Sequence, residues 1–122
     1  MDERPISVLF VCHGNICRSP MAEFIFKALV KARGLDGRYR VASAAVSAEE
    51  IGNPIYPPAK RCLSQHGVAF DPDKRARQVS REDYDRLMSY TGTGRDVADP
   101  WYTGDFEVTF QDILEGCEAM LR

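Results

Sequence analysis

The stretch Ile6-Ser7-Val8-Leu9-Phe10-Val11-Cys12-His13-Gly14-Asn15-Ile16-Cys17-Arg18-Ser19-Pro20 decides how this chain folds. Its first part, Ile6 to Val11, is short, apolar and rich in β-branched and aromatic residues. Runs of this kind are typical of parallel strands buried on both faces. Gly14 and Asn15 then mark a loop. From Ser19 the pattern turns helical, with Ser19 as a cap and Pro20 suited to a first turn. Met21, Phe24, Ile25, Ala28, Leu29 and Ala32 recur at helical spacing, and Gly34 stops the helix.

Five residues separate Cys12 from Arg18. A loop of that length between a strand and a helix can wrap an oxyanion and turn successive backbone N–H groups inward. The helix adds its own N-terminal N–H groups and the positive end of its dipole. Arg18 supplies a planar fork that matches two phosphoryl oxygens. The same field favours a thiolate at residue 12, and a thiolate is a ready nucleophile. A buried cysteine at a strand end beside a snorkelling arginine is the plainer reading. For the bare spacing it would win. The strand, the capped helix and the Gly-Asn pair between them favour the anion loop.

Working outward, Tyr39 to Val46 reads as a second strand. Pro57 and Pro58 open a helix through Cys62, Leu63 and His66 that ends at Gly67. Ser80-Arg81-Glu82-Asp83 resembles a capping box before a short helix, and Leu87 to Tyr90 reads as a strand fragment. Thr91 to Pro100 is loop; its Thr91-Gly92-Thr93-Gly94-Arg95 lacks a nucleotide-loop lysine pattern and reads as a connector. Phe106, Phe110, Ile113, Leu114, Cys117 and Leu121 form one apolar stripe of a last helix. Alternation of strands and helices argues for a parallel sheet with helices on both faces. Ligands then bind at the carboxyl ends of the strands, where the Cys12 loop lies.

The 122 residues fit a single domain spanning 1–122. At 44% hydrophobic and 28% charged residues, the composition is ordinary for a globular protein. A net charge of −2 argues against a nucleic-acid partner held by bulk charge. The acidic Met1-Asp2-Glu3-Arg4-Pro5 and the short apolar run after it suit neither a signal peptide nor a membrane span. The four cysteines, Cys12, Cys17, Cys62 and Cys117, show no zinc-finger spacing. They read as reduced thiols of a cytoplasmic protein. Neither histidine has metal-ligand spacing, so no metal or cofactor is expected.

The loop resembles the signature of the low-molecular-weight protein tyrosine phosphatases: Cys, any residue, Gly-Asn, any residue, Cys-Arg-Ser-Pro. Ser43-Ala44-Ala45-Val46-Ser47 with Ile51-Gly52-Asn53-Pro54, then Ala76-Arg77-Gln78-Val79, then Asp99-Pro100-Trp101-Tyr102 resemble further segments of that family. The similarity runs from about Ile6 to Leu121. It implies a cysteine-dependent phosphatase acting on a phosphotyrosine protein or a small aryl phosphate, inhibited by phosphate- and vanadate-like oxyanions. Cys12 would be the nucleophile. Arg18 and the amides of His13, Gly14, Asn15, Ile16 and Cys17 would hold the phosphoryl oxygens. Asp99 would be the general acid and then the base; alone, an Asp before Pro is an ordinary turn residue. Asn15, Ser19, Ser43 and His66 match positions that brace the loop, although spacing alone makes His66 a helix-end residue. Cys17 matches a cysteine that pairs with the nucleophile and protects it from overoxidation; a buried small residue is the alternative. Trp101 and Tyr102 match pocket aromatics. Glu49 stands where many members carry an aromatic, which implies a more acidic rim.

The resemblance also breaks. Between Asp85 and Leu87 about 30 residues are missing, judged against an ordinary strand–helix–loop unit. The expected fold is therefore an α/β three-layer sandwich with a short, mainly parallel sheet, one strand fewer than the family, and helices on both faces. An exposed inner edge would invite a homodimer or a dimer that exchanges elements. Two other functions fit the same loop: a phosphate- or phosphotyrosine-binding module with little turnover, and an arsenate reductase. The latter needs resolving cysteines close together, and Cys62 and Cys117 lie far apart in sequence. Arginine-phosphate or small-metabolite hydrolysis stays open, since pocket depth cannot be read from sequence.

Overall fold

The computed structural model describes residues 6–80 and 106–121. Strand β1 (Ile6–Cys12) is followed by helix α1 (Arg18–Ala32), a short 3-10 turn (Asp36–Arg38) and strand β2 (Tyr39–Ala45). Helix α2 (Pro57–Gln65) and helix α3 (Phe106–Met120) complete the described elements. The expected helix after Ser80 and the strand fragment at Leu87 to Tyr90 lie outside the described residues.

β1 and β2 pair in parallel, from Ile6 opposite Tyr39 to Cys12 opposite Ala45. A parallel pair needs a crossover, and α1 supplies it. On the other edge of β2, Ala45 bridges Gln78 in parallel. The bonds Ala45 N–H to Arg77 O and Val79 N–H to Ala45 O, each 2.7 Å, hold that segment. The Ala76–Val79 marker thus lies alongside β2 and brings its neighbour Lys74 toward the loop.

α1 packs against both strands and against α3. That double contact explains why its burial is wider than one stripe. Phe26 and Val30 are buried together with Met21, Phe24 and Ile25, whereas Ala32 is exposed. Phe26 lies at the centre, edge-on to Phe10 at 5.7 Å and to Tyr39 at 5.3 Å. Burying an aromatic or branched side chain of this size contributes roughly 1.5–3 kcal/mol. β1 is less buried than its composition suggests. Val8 and Phe10 pack on the core, but Ile6 and Val11 are exposed.

Two helix ends follow the sequence closely. Gly34 and Gly67 adopt positive φ just beyond α1 and α2, a conformation that costs glycine nothing. The start of α1 differs. The helix begins at Arg18 with Cys17 at the N-cap position, and Ser19 does not cap it. The Ser19 hydroxyl is used elsewhere.

Candidate active site

β1 ends at Cys12 and α1 begins at Arg18, so the loop between them faces the carboxyl edge of the sheet. Backbone bonds tie it down on both sides. Val46 N–H donates to Cys12 O (2.9 Å) and Ser47 N–H to His13 O (3.0 Å). Tyr56 N–H donates to Ile16 O (2.9 Å) and joins the loop to the start of α2. Gly14 lies close to the Glu50 side chain: a Cβ there would meet the Glu50 Cγ at 3.2 Å, tighter than an ordinary contact.

Asn15 organises the loop. Its φ is +60°, a left-handed conformation that asparagine tolerates better than most residues. Its side chain is buried and makes four hydrogen bonds, the full capacity of an amide. Nδ2 donates to Ser19 Oγ (2.7 Å) and to Ser43 Oγ (2.9 Å). Oδ1 accepts from Arg77 N–H (3.1 Å) and from Lys74 Nζ (3.3 Å). Because both hydroxyl oxygens accept from Asn15, both hydroxyl protons are directed outward. Ser43 donates to Glu23 Oε1 (2.6 Å). Ser19 Oγ lies 3.0 Å from Cys12 Sγ, close enough to donate to a thiolate there, with the Ala44 carbonyl a longer acceptor at 3.5 Å. The Asn15 N–H also points at Cys12 Sγ, at 3.3 Å. Two donors therefore converge on the sulfur from the loop's own frame.

The far end of this network is charged. Glu23 is buried at 6% exposure yet carries a carboxylate. Lys27 Nζ is 2.6 Å from its Oε2, and Lys74 Nζ is 3.8 Å from its Oε1. Burial holds the Lys74 ammonium below the usual lysine range, and Glu23 opposes that shift. Among the described residues, no buried side-chain nitrogen or oxygen lacks a partner. That is what a buried polar network needs in order to rigidify rather than destabilise.

Cys12, His13, Gly14, Asn15, Ile16, Cys17, Arg18, Ser19 and Ser43 are thus brought together. Arg18 is half-buried at the first position of α1, and Cys17 is buried. Glu49 reaches the rim, where its Oε2 is 3.2 Å from His13 Nε2; both side chains are largely exposed. His66 is placed elsewhere, which corrects its expected role in bracing the loop. It sits at the C-cap of α2, stacks on Phe110 at 3.8 Å and bonds to Glu107 at 2.7 Å. The bracing contacts go to Ser19, Ser43, Lys74 and the Arg77 amide instead. Asp99, Trp101 and Tyr102 lie outside the described residues.

Two residues of the network escaped the sequence reading. Glu23 could have been suspected, as an acid on an apolar helix face four residues before Lys27, a stabilising spacing. Lys74 carries no such local signal, because its partners are 51 and 59 positions away.

A sequence model described as "Low molecular weight phosphotyrosine protein phosphatase" matches residues 7–88. The chain belongs to this family. The low molecular weight protein-tyrosine-phosphatase YfkJ of Bacillus subtilis is 40% identical over 147 aligned positions, covering 95% of this chain and 94% of YfkJ. The crystal structure of YfkJ superposes with a TM-score of 0.85, covering 96% of this chain and 92% of that one. The low molecular weight phosphotyrosine protein phosphatase of Rattus norvegicus is 34% identical, with 95% and 94% coverage. The fold is thus the three-layer α/β architecture of these phosphatases. The alignment with YfkJ is longer than the 122 residues of this chain, so YfkJ carries residues that this member of the family lacks.

Proposed function

We propose that this chain hydrolyses phosphotyrosine and other aryl phosphate monoesters through a cysteinyl-phosphate intermediate on Cys12. The observation that carries this reading is the sulfur of Cys12, held at the mouth of an anion-sized loop by the Ser19 hydroxyl and the Asn15 amide. Both groups face the sulfur beside the N-terminus of α1, where an attacking cysteine and a bound anion would meet. The dianionic phosphoryl group would enter the loop, its equatorial oxygens held by the loop amides and the Arg18 fork. Cys12 Sγ would attack phosphorus in line with the leaving phenolic oxygen. Asp99 would protonate that oxygen, then take a proton from the water that cleaves the S–P bond. Cys17 would form a disulfide with an oxidised Cys12 and keep it recoverable. The Glu49 carboxylate at the rim would disfavour acidic phosphopeptides. The number and spacing of the four cysteines suit a reducing compartment, and we assign the protein to the cytoplasm on that ground. Among the described residues, no helix is long and apolar enough to cross a membrane.

Two other readings of the loop differ in what they require. An arsenate reductase needs accessible resolving thiols, but Cys62 and Cys117 are both buried, and burial pushes the Cys117 thiol up to about 12. A binding module would capture phosphate or vanadate without turning a substrate over. Hydrolysis of p-nitrophenyl phosphate and of a phosphotyrosine peptide, by the wild type and by Cys12→Ser and Asp99→Asn, separates these. The expected result is turnover competed by vanadate, abolished in Cys12→Ser and reduced about 10²–10⁴-fold in Asp99→Asn. Vanadate binding by a folded wild type that hydrolyses neither substrate would overturn the enzyme reading in favour of the binding module.

A further inference from the structure

Away from the loop, the helix ends carry a second group of chemically active side chains. Cys62 and His66 lie four residues apart at the end of α2, so both project from one face of that helix. Glu107 lies in the first turn of α3. The packing of α2 against α3 brings the three together. Cys62 Sγ, His66 Nε2 and Glu107 Oε2 all lie within 4.8 Å of one another.

We propose that Cys62, His66 and Glu107 form a binding site for a divalent transition cation of the Zn²⁺ type, which would clamp α2 to α3. The donor set is one sulfur, one imidazole nitrogen and one carboxylate oxygen, a combination that suits Zn²⁺ and excludes the hard cations Mg²⁺ and Ca²⁺. Tetrahedral Zn²⁺ sites hold such donors roughly 3.3–3.6 Å apart, given metal–ligand distances of about 2.0–2.3 Å. His66 and Glu107, at 2.7 Å, need to open slightly. With all three atoms within 4.8 Å, closing the site asks at most about 1 Å of movement from the sulfur.

The ligands are already oriented. The His66 ring is stacked on Phe110 with an interplanar angle of 11°, which directs Nε2 toward Glu107. Tyr56 stacks on Phe106 at 6.0 Å and fixes the entry to α3. Cys62 has a long contact to the Phe106 carbonyl, at 3.6 Å, which a metal–sulfur bond would readily replace. An entry path exists, since the His66 side chain is 28% exposed and that of Glu107 56% exposed. The fourth position would be taken by water. A thiolate and a carboxylate would neutralise the two charges of the ion. Binding releases the Cys62 thiol proton to solvent and leaves the single proton of the neutral His66 ring on Nδ1, with no change of oxidation state. Affinity therefore rises with pH. Sequence spacing did not reveal this site because its third ligand comes from a different helix, 41 positions beyond His66.

The site shares no residue with the Cys12 loop, so its test is independent of the phosphatase reading. The full chain carrying Cys12→Ser and Cys17→Ser, which removes the loop thiols as competing soft ligands, is titrated with Zn²⁺ alone and with Co²⁺ alone. The expected result is one ion per chain, a thiolate-to-Co²⁺ charge-transfer band, and a higher Tm with Zn²⁺. In that background Cys62→Ser removes the band. The surface change Glu107→Gln, which does not threaten folding, weakens binding by at least about tenfold. Absence of binding, a band that survives Cys62→Ser, or an affinity unchanged in Glu107→Gln would each overturn the proposal.

Discussion

Asn15 combines two demands that few residues meet together, a left-handed backbone and four satisfied amide hydrogen bonds. Its replacement separates them. Asn15→Gly keeps the backbone conformation and loses the amide. Asn15→Ala loses both. Urea unfolding is expected to show a loss of about 1–3 kcal/mol for the glycine variant, with the alanine variant less stable still. Both should lose kcat on p-nitrophenyl phosphate, because Ser19 is no longer held toward Cys12. Wild-type stability in either variant would contradict this account of the loop. Lys74 gives a pH signature. Burial lowers its pKa in the folded protein, so the unfolded chain binds more protons between that value and the ordinary lysine range. Across that window stability gained from this residue rises with pH. Relative to Lys74→Met, the wild type should therefore gain unfolding free energy as pH climbs toward the ordinary lysine value. Parallel pH profiles for the two proteins would contradict it. The spacing of Cys12 and Arg18 was legible in the sequence because both belong to one short loop. The Lys74 contact was not, because it exists only once β2 and the segment after α2 lie side by side.

At the scale of elements, α1 and α3 illustrate what periodicity can and cannot give. The α3 stripe was legible, and Phe110, Ile113 and Cys117 are buried as the spacing implies. For α1 the same argument named too few core residues, because a helix covered by both a sheet and a second helix buries more than one stripe. The start of α1 was misplaced for a chemical reason: a serine at a helix start reads as a cap, but here its hydroxyl accepts from Asn15 and faces Cys12 and the Ala44 carbonyl. The α3 packing also fixes thiol reactivity. Cys117 is buried, its pKa raised to about 12 first by desolvation and then by Glu118. Iodoacetamide at pH 8, read by peptide mass spectrometry, is expected to label Cys12 well before Cys117 in the native protein. Labelling of both at one rate would show that α3 is not packed as described.

For the whole molecule, the parallel order of β1 and β2 and the crossover by α1 followed from the alternation of apolar runs and helical patterns. That the chain is shorter than its family was legible too, because a lost stretch shortens the distance between recognisable segments. The alignment with YfkJ, longer than this chain, agrees with it. Sequence could not give the route by which buried charge at Glu23 reaches the loop through Ser43 and Asn15, since each link joins a different element. The central claim is that phosphoryl transfer passes through the sulfur of Cys12. Rapid acid quench during turnover of p-nitrophenyl phosphate, followed by peptide mass spectrometry, tests it most directly. The account predicts a phosphoryl adduct on the peptide carrying Cys12, absent in Cys12→Ser. Turnover with no adduct on that peptide, or activity retained by Cys12→Ser, would contradict it.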